Sequence, residues 1–221
     1  MTPPLILALD TSGSRCDVAV VKGDEPLAQA TWIERNAHSE KLIPLIEEAL
    51  AASTMSRQKI DAVAISIGPG SFTGLRVGLS AAKGLAMALD VPILGIPTHQ
   101  AVAEMLPPLD RLWVTHTAKK DHLYWTEFTE KQAVRDCCVM SVTSLLGRIT
   151  GPLTIATDRP EWISARLPSD LSSIVTVLDE TRAYPDARMV GKLAFDRLSR
   201  GESDNVASLV PLYVQAFQGV M

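Results

Sequence analysis

Leu5-Ile6-Leu7-Ala8-Leu9-Asp10-Thr11-Ser12-Gly13-Ser14-Arg15-Cys16-Asp17-Val18-Ala19-Val20-Val21-Lys22 reads as a β-hairpin, and the rest of the chain is organised around it. The apolar run from Leu5 to Asp10 stops at Thr11-Ser12-Gly13-Ser14, four turn-prone residues, and a second β-rich run resumes at Cys16. After the turn Lys22-Gly23-Asp24-Glu25-Pro26, Leu27 to Ile33 supplies a third strand. Ser39 to Ser53 then carries Leu42, Leu45, Ile46, Ala49 and Leu50 at helical spacing, with Pro44 near its start, where a bend is expected. Asp61 to Ile67 is continuously apolar enough for a strand buried on both faces. A second helix spans Leu75 to Leu89, a strand Ile93 to Ile96 and a short helix Thr98 to Leu106.

Beyond Pro107-Pro108 the pattern starts again. Leu112 to Thr117, Leu123 to Phe128 and Ala133 to Val139 read as strands, and Val142 to Ile149 as a helix. Leu153 to Thr157, a short helix near Glu161 to Arg166, Ile174 to Val177 and a good helix over Ala187 to Arg200 follow. Two halves with a similar element order and no repeated sequence imply an α/β protein duplicated at the level of fold. The diproline sets the expected division at 1–106 and 107–221.

The 221 residues suit one large domain or two small ones, and 47% apolar against 21% charged residues is a normal globular mixture. Net charge is −4, with 8 basic and 12 acidic residues through 110 and 13 of each afterwards. Neither half has the basic excess that phosphate affinity demands, so direct nucleic-acid binding is expected to be weak. No apolar run is long enough to span a bilayer, and the start lacks a basic leader region, so a soluble, unexported chain is expected. Cys16, Cys137 and Cys138 are odd in number, and the last two are adjacent, which suits reduced cytosolic thiols.

Two loops invite chemistry. Asp10, Thr11, Ser12 and Gly13 at the hairpin tip can surround a phosphate with N–H and hydroxyl groups while Asp10 orients Mg²⁺, or can be plain turn chemistry. Gly68-Pro69-Gly70-Ser71-Phe72-Thr73-Gly74 leads into a helix whose N-terminus can face an anion through Gly70 and Ser71, yet it lacks the Gly-Lys-Ser/Thr ending of a P-loop. Gly70, Gly74 and Gly78 are spaced by four, and Ala82 and Ala86 extend the stripe. Glycine in a helix costs roughly 1 kcal/mol against alanine, so a close backbone contact must offset it. That contact is either internal or with another chain; the broad apolar face of the 39–53 helix, where Ile43 lies off the main stripe, favours a protein interface.

His38, His99, His116 and His122 show no i, i+3 or i, i+4 pairing, and there is no Cys-x-x-Cys, so a metal site is not expected. Gly-Ser-Phe-Thr-Gly is not a nucleophile elbow. Lys119-Lys120-Asp121 looks like a solvated turn, with Lys119 of interest because it follows a strand end.

Three segments, Leu-Ala-Leu-Asp-Thr-Ser at 7–12, His-Ser-Glu-Lys-Leu-Ile-Pro-Leu-Ile-Glu-Glu-Ala-Leu at 38–50, and the long run from Ser66 to Ala86, closely resemble the bacterial TsaB (YeaZ) family. The resemblance continues through 92–98 and thins in the second half to Tyr124-Trp125 and Pro211-Leu212-Tyr213-Val214-Gln215. It implies an actin/Hsp70-like (ASKHA) fold of two related βββαβα-type subdomains. It also implies a cytoplasmic, non-catalytic subunit for N6-threonylcarbamoyladenosine (t6A) formation at position 37 of tRNAs reading ANN codons. In that family a paralogous TsaD subunit carries the metal and the chemistry of the threonylcarbamoyl-adenylate, and a P-loop ATPase, TsaE, joins it. The chain itself is expected to need no cofactor, ATP or ADP being handled mainly by partners, and to meet tRNA only through the complex.

Helices matching 38–53 and 74–89 form the family's heterodimer and, in isolation, its homodimer. This places Leu42, Leu45, Ile46, Leu50, Gly74, Arg76, Gly78 and Ala82 at the expected interface. Asp10, Thr11, Ser12, Gly70 and Ser71 are then a vestigial phosphate site, and Lys119 a nucleotide contact at the interface. Where the family commonly has Asp-Ala-Arg and Glu-Val-Tyr, this chain has Thr117-Ala118-Lys119 and His122-Leu123-Tyr124, and Ile155-Ala156-Thr157-Asp158 replaces a glycine motif. A reduced or divergent second half is expected. The competing readings are an ATP-dependent phosphotransferase or ATPase of the actin-like class, and a metallopeptidase, against which the missing His pair counts.

Overall fold

The computed structural model describes residues 2–33 and 38–214, so Gln215 of the last matching motif lies outside the described residues. The elements run β1 (Leu5–Asp10), β2 (Arg15–Lys22), β3 (Glu25–Ile33), α1 (His38–Ser53), β4 (Ala62–Gly68), α2 (Phe72–Leu89), β5 (Ile93–Pro97) and α3 (Thr98–Met105). They continue with β6 (Leu112–Lys119), β7 (His122–Thr129), β8 (Gln132–Ser141), α4 (Val142–Leu146), β9 (Leu153–Thr157), α5 (Pro160–Ser164), β10 (Val175–Val177) and α6 (Ala187–Ser199). α1 runs unbroken through Pro44.

Two five-stranded sheets result, ordered β3-β2-β1-β4-β5 and β8-β7-β6-β9-β10. The second repeats the first element for element. In each, a three-stranded antiparallel meander is extended from its first strand by two parallel strands, β1 pairing with β4 and β6 with β9. The fold is thus α/β with two related halves, as the element order implied, and this is the duplicated arrangement that the TsaB resemblance implied.

The compact units do not divide at the diproline. One unit combines the chain up to Ala101 with Pro185–Leu212, and the other is built on Val102–Tyr184. The expected 1–106/107–221 division therefore misplaces α6. Its Ala187, Val190 and Ala194 pack on Ile6, Ala8, Ala19 and Val21 of the first sheet. A periodic apolar face announces that a helix is covered but not by which sheet, and proximity in sequence pointed to the wrong one.

In the first unit alternation sorts side chains to the two faces of the sheet. Leu5, Leu7, Leu9, Val18, Val20, Val63 and Ile65 face α1 and α2, whereas Ile6, Ala8, Ala19, Val21, Ala62 and Ala64 face α6. In the second unit Trp113, Trp125, Leu123 and Ile155 lie under α4 and α5, while Leu112, Val114, Phe128 and Ala156 pack with Val102 and Ala103 of α3 and with Leu106 just after it. No helix among the described residues is long and apolar enough to cross a membrane.

Candidate functional site

Strand β1 ends in Asp10, which has no solvent exposure. Its Oδ1 accepts hydrogen bonds from the Ser12 hydroxyl at 2.7 Å and the Ser12 N–H at 3.3 Å. Oδ2 has no partner of good geometry, although the nearby Ser66 hydroxyl helps to lower the carboxyl's pKa. Burial dominates and pushes Asp10 up to about 6. A carboxylate stripped of water and only half satisfied holds a proton more tightly than one in water.

The rest of the tip is closed by the 68–74 loop. Ser71 N–H donates to the Ser12 carbonyl at 2.7 Å, and the Thr11 hydroxyl donates to the Gly74 carbonyl at 2.8 Å. Ser71 Oγ accepts from Gly74 N–H at 3.2 Å, capping α2. His38, at the start of α1, donates from Nε2 to the Gly13 carbonyl at 3.0 Å, since a carbonyl can only accept; its buried Nδ1 has no partner among the described residues. Thr11, Ser12, Ser71 and the α2 N-terminus, the groups proposed for an anion, are thus bonded to one another.

The glycine stripe explains this closure. A Cβ at Gly70 would run into the Ser12 carbonyl, one at Gly74 into the Thr11 carbonyl, and one at Gly78 into the Thr11 hydroxyl. The close backbone contact is internal, between α2 and the hairpin tip. Ala82 and Ala86 continue inward into the core. Of the residues expected at the interface, Gly74, Gly78, Ala82, Leu42, Leu45 and Ile46 are buried within their own unit. Of the eight, Arg76 is exposed and Leu50 half-buried. The same helices present other apolar groups outward, Ile43 at 50% exposure, Phe72 at 59% and Met87 at 70%. Arg76 stacks its guanidinium on the Phe72 ring at 3.8 Å.

Sequence reasoning missed Asp17, an acid inside an apolar strand. Both its oxygens accept from Gln29 Nε2, at 3.0 and 2.9 Å, Oδ1 also from the Thr31 hydroxyl, and Oδ2 from the Ala187 N–H at the start of α6. Gln29 also reaches Asp186, the N-cap of α6. Burial raises the Asp17 pKa, opposed by these hydrogen bonds and by Arg15. The cluster fixes α6 to β2. Asp17 was legible only as an alternation anomaly between Cys16 and Val18.

In the second unit the register places His116 and Asp158 where the first has Asp10 and Ser66, each pair one step beyond the aligned residues Thr115↔Thr157 and Leu9↔Ile65. Both Asp158 oxygens accept from Thr117 N–H, at 3.1 and 3.0 Å. His116 is buried, its ring centroid 5.6 Å from that of Tyr184. Burial lowers its pKa, against Asp158 and the Ala183 backbone, which raise it. Lys119 is exposed at the end of β6, opposite His122. Among the described residues no three His, Cys, Asp or Glu side chains come together as a metal site would require.

Fold and hairpin tip together define an actin-like chain whose hairpin tip and 68–74 loop are bonded to each other. A family model described as TsaD, tRNA N6-adenosine threonylcarbamoyltransferase, matches residues 32–213. The Escherichia coli "tRNA threonylcarbamoyladenosine biosynthesis protein TsaB" is 29% identical over 184 residues, 82% of this chain and 74% of that protein. The Haemophilus influenzae protein of the same name is 32% identical over 134 residues, 59% of this chain and 56% of its own. The solved structure of YeaZ from Pseudomonas aeruginosa superposes with a TM-score of 0.81 at 24% identity, covering 96% of this chain and all (100%) of that one. The chain belongs to the TsaB (YeaZ) family.

Proposed function

We propose that this chain is a cytoplasmic, non-catalytic subunit needed to form N6-threonylcarbamoyladenosine at position 37 of tRNAs reading ANN codons. It binds and supports a TsaD-type catalytic subunit, together with a TsaE-type ATPase, and pairs with itself when alone. Nucleotide, metal and threonylcarbamoyl-adenylate are handled mainly by those partners, and tRNA is met through the complex. The observation that carries this reading is the self-bonded hairpin tip in a chain of the TsaB family: the Thr11 hydroxyl is taken up by the Gly74 carbonyl, the Ser12 hydroxyl by Asp10 and the Ser71 N–H by the Ser12 carbonyl. The partner surface fits the exposed side of α1 and α2, where Ile43, Phe72 and Met87 are exposed and Arg76 stacks on Phe72.

Reconstitution with TsaD- and TsaE-type proteins tests the role: t6A formation is expected to require this chain, which alone should hydrolyse no ATP with Mg²⁺. Turnover by the isolated chain that Asp10→Ala abolishes would instead establish the phosphotransferase or ATPase reading. The surface is tested by Ile43→Glu and Met87→Glu, each burying a charge on docking. A tenfold to hundredfold loss of self-association and partner affinity is expected, about 1.4 to 2.8 kcal/mol, with unchanged circular dichroism. Folded variants that dimerise and bind as wild type would remove α1 and α2 from the interface.

A further inference from the structure

The second unit contains a cleft of about 530 Å³, lined by Asp121, Ser141, Val142, Thr143, Leu146, Gly147, Arg166 and Pro168. Its volume falls within the range of small-molecule sites, roughly 300 to 1,000 Å³. The cleft lies where α4 and the segment after α5 adjoin. In the first unit the equivalent helices are 16 and 18 residues long and meet over the sheet; here each has five residues.

Its walls are fixed. Val142 N–H donates to the Asp121 carbonyl at 2.9 Å, tying the β6–β7 turn to α4, and Leu145 and Leu146 anchor α4 in the core. Leu167 packs on the same core, and its N–H reaches the Ile163 carbonyl at 3.1 Å, holding Arg166 and Pro168 on either side of it. Arg166 is itself positioned, with its guanidinium 4.4 Å from the Trp162 ring centroid and Nη1 donating to the Trp162 carbonyl at 3.1 Å. It has no carboxylate partner among the described residues. The Asp121 carboxylate also has no hydrogen-bond or ion-pair partner among them.

The cleft therefore offers an exposed cation oriented on Trp162, an exposed anion without a partner among the described residues, and a floor of the buried Val142 and Leu146 with Pro168 on its rim. A planar guanidinium held in place suits a carboxylate, which it can grip through two parallel N–H bonds. Asp121 repels a polyanion such as a nucleotide phosphate and favours an ammonium group. We infer that the cleft binds a small zwitterion with an apolar body, an amino acid or short peptide, its carboxylate on Arg166 and its ammonium on Asp121.

The test is an amide-shift titration of the ¹⁵N-labelled full chain with leucine and leucyl-leucine, beside their N-acetyl and C-amide forms and inorganic phosphate. One of the two zwitterions is expected to shift Val142, Thr143, Leu146 and Gly147 with millimolar affinity, and removing either charge to weaken it about tenfold. Arg166→Gln should erase the preference for a free carboxylate and Asp121→Asn that for a free ammonium. Thr143→Trp, on the exposed rim, should block binding with the fold intact. No shift at about 10 mM, equal affinity for the capped forms, or stronger shifts with phosphate would each overturn the assignment.

Discussion

The two units share a strand order but not a cover. Over the first sheet α1 and α2 are 16 and 18 residues long and bury an aliphatic core, whereas α4 and α5 have five residues each. The second unit fills the missing volume with rings: Trp113 and Trp125 are buried edge to face at a 5.4 Å centroid separation, and Trp162 packs on the same core. One indole supplies much of the area that a helical turn would otherwise bring. The same topology tolerates both solutions because the sheet order, not the helix length, fixes which strands are central. The long helices leave Ile43 and Met87 exposed; the short ones leave a cleft.

The sharpest way to break this comparison is through the glycines. If α2 is held down by its contact with the hairpin tip, Gly78→Leu should abolish folding or cost well over the roughly 1 to 3 kcal/mol of ordinary overpacking. The added carbons meet the Thr11 hydroxyl and Ile65. Gly147, at the end of α4, has its nearest neighbour at 3.4 Å from a built Cβ, so Gly147→Ala should leave stability nearly unchanged. Urea midpoints of both variants decide the matter. A folded Gly78→Leu chain of wild-type stability would return the stripe to the surface.

Next in size is a difference of sign with pH. Asp10 and His116 occupy equivalent positions, and burial disfavours the charged form of each. For Asp10 the folded pKa of about 6 stands above the ordinary carboxyl value of 3.8, so the folded chain binds the extra proton and stability falls as pH rises between them. For His116 the folded pKa lies below 6.5, so the unfolded chain binds the proton and stability is lost as pH falls below 6.5. Asp10→Asn should therefore stabilise the chain at pH 7.5 by about 1 to 3 kcal/mol, with no gain at pH 4. His116→Gln should flatten the acid limb instead. Denaturation across pH 4 to 8 separates the two, and identical slopes in both variants would show that the positions are not equivalent.

Much of this was legible in the sequence, for identifiable reasons. The hairpin, both sets of five strands and the long helices followed from alternation, apolar runs and 3.6-residue spacing, signals that depend on local chain geometry. α4 was expected to reach Ile149 but ends at Leu146, because Gly147 and the following turns leave the helix. The glycine stripe was correctly read as a close contact, and of the two neighbours left open, one internal and one in another chain, the structure shows the internal one. Spacing says that something approaches a helix face, and only the tertiary structure says that it is Thr11. Asp17 and Asp158 were invisible as site residues, since their partners Ala187 and Thr117 are brought to them by the return of α6 and by sheet pairing.

The smallest expected effect tests whether every glycine of α2 serves that contact. Gly84 lies in the same helix, is exposed, and has nothing within 4 Å of a built Cβ. With no neighbour to accommodate, its lack of a side chain only leaves the unfolded chain freer and the helix weaker. Gly84→Ala should then stabilise the protein by about 0.5 to 1 kcal/mol, whereas Gly74→Ala, whose methyl would strike the Thr11 carbonyl, should destabilise it. Thermal melts of the pair suffice. Opposite signs would confine the packing role to the face turned toward the hairpin. A loss at Gly84 with the monomer held fixed by dilution would mean that its backbone is closely approached from within the chain, while a loss seen only at high concentration would mean that a second copy lies against that side of α2.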